Sequence, residues 1–448
     1  MAKKIISLLI LFTVHCSLFT LFATASEVKE TILQNGLKIL TLENHKAPVV
    51  TFQIWYKVGS RNEPVGKTGV SHLLEHMMFK GTKKYGPQQF SKTVQKNGGN
   101  DNAFTSKDYT AYFQNFASDR IDISLELESD RMVNLLVEPK EVLSERNVVA
   151  EERRMRYEDD PQSAVHEELM AAAFKAHPYR WPVIGWMADI QSINRDDLYN
   201  YYRTYYAPNN ATIVVVGDFD TDKLLKKIGG SFGTIPKGTA PSENNLVEPS
   251  QRGERRVVVK KEAQLPYIAM AYHVPNFSEG SWGKDPDSYP LEVLSVILSG
   301  GKSSRLYQSL VYKKQIALYA GGDYEGISKD PHLFYFYASV ATGKKVEEVE
   351  SALYEEIEKL KNEPVTEREI EKAKNQLEAS FVMSQDSVFY QGMLLGKYET
   401  VGDWRLKDKY LEGIRKVTKD DLQRVVKKYF TEDNRTVGIL IPLPPKGL

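Results

Sequence analysis

The stretch DLYNYYRTYYAPNNATI, Asp197 to Ile213, comes back 224 residues later as DLQRVVKKYFTEDNRTV, Asp421 to Val437. The two copies hold one register: Asp-Leu opens each, Tyr205-Tyr206 aligns with Tyr429-Phe430, and Asn210, Thr212 and Ile213 align with Asn434, Thr436 and Val437. Each reads as an amphipathic helix running into a strand. Self-similarity at this offset in a chain of 448 residues predicts two homologous halves. Leu37 to Tyr56 and Arg256 to Tyr272 extend the correspondence, since both read as strand pairs ahead of a helical stretch. Pro236 to Glu254 (PKGTAPSENNLVEPSQRGE) lacks apolar periodicity and reads as a linker. The predicted division is 26–235, a linker over 236–255, and 256–448.

Long helical patterns, such as Ile121 to Val137 and Thr366 to Ser384, do not alternate strictly with the strands. That favours an α+β fold, each half a largely antiparallel sheet with helices packed on it, over a doubly wound parallel sheet. Lys+Arg and Asp+Glu each number 59, and 42% of residues are hydrophobic. Such a balance excludes disordered and fibrous classes and argues against a dedicated nucleic-acid binder, which would carry a basic stripe.

Residues 1–25 read as a secretory signal peptide: Lys3 and Lys4, an apolar Ile5 to Val14, then Ala23-Thr24-Ala25. An uncleaved N-terminal anchor is the alternative. Removal after Ala25 would leave 423 residues with net charge −2. The sole cysteine, Cys16, lies inside this leader, behind Val14-His15 rather than a small residue, so no lipid anchor is expected. The mature chain can then form no disulfide, and any metal must be held by His and carboxylates. No other segment approaches the ~18 apolar residues of a membrane span. The expected location is therefore outside the cytoplasm, in a bacterial periplasm.

The chemistry concentrates in GVSHLLEHMMFKG, Gly69 to Gly81. His72 and His76 stand four apart and share a helical face, with Glu75 beside them. Val70, Leu73, Leu74, Met77 and Met78 would bury the other sides. H-x-x-E-H is the inverted zincin signature, and a catalytic zinc needs a third protein ligand. Leu143 to Asp160 (LSERNVVAEERRMRYEDD) is a charged helical pattern in which Glu145, Val148, Val149 and Glu152 share a face. Glu151, Arg153, Arg154 and Arg156 read as a solvated face. His45, His166, His177, His273 and His332 stand alone and read as ordinary core or surface histidines.

H-x-x-E-H followed some 75 residues later by E-R-x-V-V-x-E-E resembles the pitrilysin/insulinase family of zinc metallopeptidases, including its mitochondrial processing peptidase branch. The resemblance implies that Glu152 is the third zinc ligand, with Glu151 as fallback, and that Glu145 supports the site. It extends to Gly98 to Thr105 (GGNDNAFT), similar to the family's edge strand, and to His177-Pro178-Tyr179, Gly185-Trp186 and Tyr206 to Asn210. Independently of the family, Ala103 to Phe113 alternates as a hairpin about Lys107-Asp108 would, and an edge strand there could take an extended peptide as an added strand.

The second half has no H-x-x-E-H and is expected to hold no metal. Its Gly300 to Tyr307 resembles the family's glycine-rich turn and following helix. The family then places an Arg and, seven residues on, a Tyr, which reach the substrate; Tyr319 matches the Tyr, but Tyr312 stands at the Arg position. A Tyr hydroxyl cannot replace a guanidinium fork. Either Arg305 substitutes, or a homologous partner subunit supplies the Arg/Tyr pair in a heterodimer; a homodimer is a further alternative.

The combined expectation is a zinc endopeptidase whose two halves form a clam-like chamber for peptides. One Zn²⁺ per chain is held by His72, His76 and Glu152, Glu75 is the general base, and Tyr319 donates to the developing oxyanion. Asn102, Ala103 and Phe104 bind substrate. The competing expectations are a non-catalytic peptide-binding or scaffold subunit and a zinc hydrolase of small amides.

Overall fold

The computed structural model describes residues 27–239, 246–277 and 287–444. The predicted signal peptide lies outside the described residues. Among those described, no helix is long and apolar enough to cross a membrane.

The strands are β1 Lys29–Ile32, β2 Lys38–Glu43, β3 Val49–Tyr56, β4 Asn100–Thr105, β5 Thr110–Ala117, β6 Ala211–Gly217, β7 Arg255–Glu262, β8 Tyr267–Val274, β9 Ala317–Tyr324, β10 His332–Val340 and β11 Arg435–Leu443. They form two sheets, ordered β1-β2-β6-β3-β5-β4 and β7-β11-β8-β10-β9. Without β1, the first order maps onto the second strand for strand. In each sheet the strand that closes the repeat (β6, β11) runs parallel to one neighbour and antiparallel to the other, and the remaining pairs are antiparallel. The sheets are thus largely antiparallel, as the sequence predicts.

The helices are α1 Val70–Met77, α2 Gln89–Lys96, α3 Ile121–Asn134, α4 Pro139–Arg153, α5 Pro161–Ala173, α6 Met187–Ser192, α7 Arg195–Tyr205, α8 Thr221–Phe232, α9 Ser288–Ser299, α10 Val346–Asn362, α11 Glu367–Ser384, α12 Val388–Val401, α13 Leu406–Lys416 and α14 Lys419–Tyr429. The repeat found by self-comparison falls on α7–β6 and α14–β11. Both helices start with a capping box, Asn194 with Asp197 and Thr418 with Asp421, in which each side chain satisfies the other's free backbone N–H.

One face of each sheet is covered by helices of its own half. The other is covered by a helix from the opposite half. Val165, Leu169, Met170 and Ala173 of α5 pack on Ala269, Ala271, Leu333 and Leu440 of the second sheet. Leu395 of α12 and Trp404 pack on Leu40, Trp55, Val214 and Val216 of the first. Burying a Val- or Leu-sized side chain contributes about 1.5–3 kcal/mol each, so this exchange ties the halves together through their cores.

The α12 contact depends on a missing side chain. A Cβ on Gly396 would lie 2.0 Å from Cε2 of Trp55, which is fully buried. Gly396→Ala is expected to cost about 1–3 kcal/mol by overpacking, read as a lowered denaturation midpoint. Gly229→Ala, in the interior of α8 with nothing within 4 Å of its added Cβ, is the matched control and should not destabilise. Equal midpoints for the two variants would refute the tight-contact account.

Candidate functional site

Helix α1 carries the H-x-x-E-H motif, and the chain around it fixes its position. Val70, Leu73, Leu74, Met77 and Met78 are all at most 2% exposed, as their spacing predicts. Gly69 begins the helix at φ +89°, and a Cβ there would meet the Ile184 carbonyl oxygen at 2.3 Å, so only glycine fits. Glu63 accepts the N–H groups of Gly69 (2.8 Å) and Ser71 (2.9 Å), satisfying two free donors of the first turn. Burial pushes the Glu63 carboxyl up to about 8.

Helix α4 crosses α1 and supplies carboxylates. One Glu152 oxygen lies 3.7 Å from His72 Nε2 and 3.6 Å from His76 Nε2. The three donor atoms all fall within 4.8 Å of one another, and among the described residues this is the one His/Cys/Asp/Glu group arranged to hold a metal ion. Burial drives the His72 pKa down to about 3, which keeps a lone pair free on the ring. Glu145, two helical turns before Glu152, accepts from His76 Nδ1 at 3.1 Å and pairs with Lys80 on its other oxygen. A carboxylate behind an imidazole fixes both the tautomer and the ring's direction. Glu151 faces out and pairs with Arg154. Arg156, read as part of a solvated face, is 66% exposed but reaches the second oxygen of Glu152 at 2.6 Å. Val148 is 47% exposed and so does not share the buried face of Val149 and Glu145. Just past Glu152 the helix widens into a π-helical turn, Arg154–Glu158, and Arg153 is anchored by two 2.8 Å bonds to Glu167.

Glu75 stands outside the three-donor group. Its carboxylate accepts from Thr105 Oγ1 at 2.5 Å, and burial raises its pKa. Thr105 ends β4, the outermost strand of the first sheet, so the strand expected to receive a peptide also holds the carboxylate beside the metal cluster. The hairpin is present: β4 pairs with β5 from Asn100↔Asn115 to Thr105↔Thr110, with 106–109 as its loop. Asn102 accepts from the Ala103 N–H at 2.9 Å, and Phe104 packs edge-on against Trp55 at 5.5 Å.

The second half departs from its expected role in two places. Tyr319 on β9 already donates to Gln162 Oε1 of α5 at 2.6 Å. Arg305 is bidentate to Glu369 at 2.6 and 3.0 Å, so its fork is occupied at the start of α11. Tyr312 is 67% exposed, in the π-helical turn Tyr307–Lys313. Thr105 and Glu63 carried no periodic or motif signal of their own; Thr105 was visible only as part of the edge-strand segment.

Comparison with known proteins agrees with this construction. Residues 38–185 match the family model described as insulinase (peptidase family M16), and residues 192–377 match that of the peptidase M16 inactive domain. Over 416 residues the chain is 36% identical to the zinc protease PqqE of Helicobacter pylori, covering 92% of each. The chain belongs to the insulinase family, peptidase family M16. The crystal structure of a protease from Helicobacter pylori superposes with a TM-score of 0.89 at 34% identity, covering 93% of this chain and 100% of that one. The first half of the periplasmic protease PqqL from Escherichia coli has the same fold, with a TM-score of 0.77 at 18% identity over 93% of this chain and 92% of that one. In this M16 chain the metal-capable group lies within the segment matched by the insulinase model, and the segment matched by the inactive-domain model contributes Arg305, Tyr312 and Tyr319.

Proposed function

We propose that this M16 chain is a zinc endopeptidase that hydrolyses extended peptides or unfolded segments, with His72, His76 and Glu152 as the ligands of one Zn²⁺. The observation that carries the reading is the convergence of two imidazole nitrogens and a carboxylate oxygen within 4.8 Å of one another. The Glu152 oxygen stands 3.6–3.7 Å from each imidazole Nε2, near the ~3.4 Å between two ligand atoms of a tetrahedral zinc. The donor set of nitrogen and oxygen suits zinc, and the chain's one cysteine lies in the leader.

When bound, zinc supplies Lewis acidity to the scissile carbonyl and lowers the pKa of water to about 7. The chain's own residues do the rest. Glu75, aimed by Thr105, takes the proton of the attacking water on its carboxylate and returns it to the leaving amine. Glu145 holds His76 from behind. The backbone of Asn102, Ala103 and Phe104 pairs with the peptide as an added strand. Tyr319 would have to exchange Gln162 for the substrate in order to donate to an oxyanion. The leader and the metal-free second half, 256–448, complete the reading as an exported, periplasmic protein with one catalytic half, 26–235.

The engagement of Arg305 by Glu369 and the exposure of Tyr312 favour a second reading, in which a homologous partner brings the Arg/Tyr pair. The test is hydrolysis of an extended peptide library by the zinc-loaded chain alone. Cleavage establishes a self-sufficient peptidase. One equivalent of zinc bound without cleavage transfers support to the partner-dependent reading, and failure to bind zinc refutes both.

A further inference from the structure

Arg153, Arg154 and Arg156 lie together at the end of α4, and they differ in what holds them. Arg153 is 5% exposed, is bidentate to Glu167 of α5, and has the ring centroids of Tyr157 and Trp186 at 5.3 and 5.6 Å from its guanidinium carbon. Arg154 pairs with Glu151 on the surface. Arg156 is directed to the metal cluster: its Nη2 lies 2.6 Å from Oε1 of Glu152, whose other oxygen faces His72 and His76. The carboxylate is thereby divided, one oxygen to the imidazoles and one to a guanidinium. Among the described residues nothing else bonds to Oε1.

An exposed ion pair ordinarily contributes little, and the Arg156 side chain is itself 66% exposed. Two features set this pair apart. Its carboxylate is only 17% exposed and belongs to the metal-capable group. The turn that carries Arg156 is also held at both ends: Arg153 ties its start to α5, and Lys261 of β7, from the second half, donates to the Glu158 carbonyl at its end. That turn is π-helical, Arg154–Glu158, a departure from the α-helix that is frequent at functional sites. From there the guanidinium acts electrostatically on both His72 and Glu75.

We propose that Arg156 is a positioning residue of the metal site: it occupies Oε1 of Glu152 and so makes Glu152 a ligand through one oxygen only. The inference rests on the zinc reading and adds a residue to it. A carboxylate without such a partner can present both oxygens to one cation, as carboxylates do around calcium. A catalytic zinc keeps three protein ligands and a fourth position for water, and a second oxygen from Glu152 would claim that position. A charged donor on Oε1 removes the option, because its hydrogen bond is roughly twice as strong as a neutral one. Arg156 thus does for Glu152 what Glu145 does for His76.

The test loads the full-length protein with zinc or with cobalt(II), whose visible bands are strong in a four-coordinate site and weaken when a fifth ligand joins. Arg156→Ala is expected to weaken those bands and to loosen zinc by roughly 10- to 100-fold, the usual effect of removing the group behind a ligand. Arg156→Lys keeps a charged donor and should regain most of both. Arg154→Ala, which breaks only the surface pair with Glu151, should match the wild type. The denaturation midpoint of metal-free Arg156→Ala should not move, since an exposed pair adds little to stability. Wild-type cobalt bands or wild-type zinc affinity in Arg156→Ala, a lysine variant no closer to the wild type than alanine, or a lowered metal-free midpoint each overturn the inference while the zinc reading stands. A wild type that takes up neither metal refutes the zinc reading itself, and the inference falls with it.

Discussion

Glu75→Gln is expected to bind zinc as the wild type does and to lose peptide hydrolysis by on the order of 10²–10⁴-fold, the usual worth of a positioned general base. Glutamine has the same shape, and its amide oxygen can still accept from Thr105 Oγ1, so the helix and its neighbours need not move. It cannot take a proton. Nor does it belong to the donor group, which is formed by His72, His76 and Glu152. Metal analysis and single-turnover hydrolysis on one preparation separate the outcomes. A variant that cleaves within tenfold of the wild type would refute Glu75 as base, and one that has lost its zinc would make Glu75 a ligand.

Glu128→Ala should destabilise the first half by about 3–5 kcal/mol, the cost of leaving a buried charge without its partner. Glu128 is 0% and Arg131 1% exposed, and they meet in a two-armed pair at 2.6 and 2.5 Å. Gln114 donates to the same carboxylate at 2.5 Å. The guanidinium is enclosed by the rings of Phe90 and Tyr112, at 4.1 and 4.3 Å from their centroids. Alanine would strand the cation among aromatic faces with no water to replace the carboxylate. Glu128→Leu combined with Arg131→Met removes both charges and should recover most of the loss, since an apolar pair of similar volume is often neutral. Denaturant midpoints for the single and double variants check this; a double variant as unstable as Glu128→Ala would mean that packing, not the unpaired charge, sets the cost.

The sequence carried whatever was local or repeated. The 224-residue register placed α7–β6 on α14–β11, and i, i+4 spacing placed His72 and His76 on one face of α1. Periodicity put Glu152 on the face of Glu145 and Glu151 on the solvated side, but only the family resemblance made Glu152 a ligand; the structure brings its oxygen to the two imidazoles and leaves Glu151 on the surface. What could not be read was non-local. Thr105 reaches Glu75 across 30 positions and Arg305 meets Glu369 across 64, so no window along the chain contains either pair. His332 looked like any solitary histidine, since the rings of Phe174 and Tyr179 that surround it come from the other half of the chain. Periodicity alone placed Val148 on one face with Glu145, Val149 and Glu152, but it is 47% exposed while Val149 is fully buried.

The crossing over of α5 and α12 makes the two halves a domain-swapped dimer written into one polypeptide. Each sheet is completed by an element encoded on the other side of residues 236–255, as in partners that have traded an arm. The segment that joins them is itself docked where described: Glu248 accepts the backbone N–H groups of Lys175, Ala176 and His177 at 2.7, 2.8 and 2.9 Å, and Gln251 donates to the Arg435 carbonyl at 2.7 Å. A cut within it would yield two fragments that each lack a wall of their own core, and these would find stability by recombining rather than by folding alone.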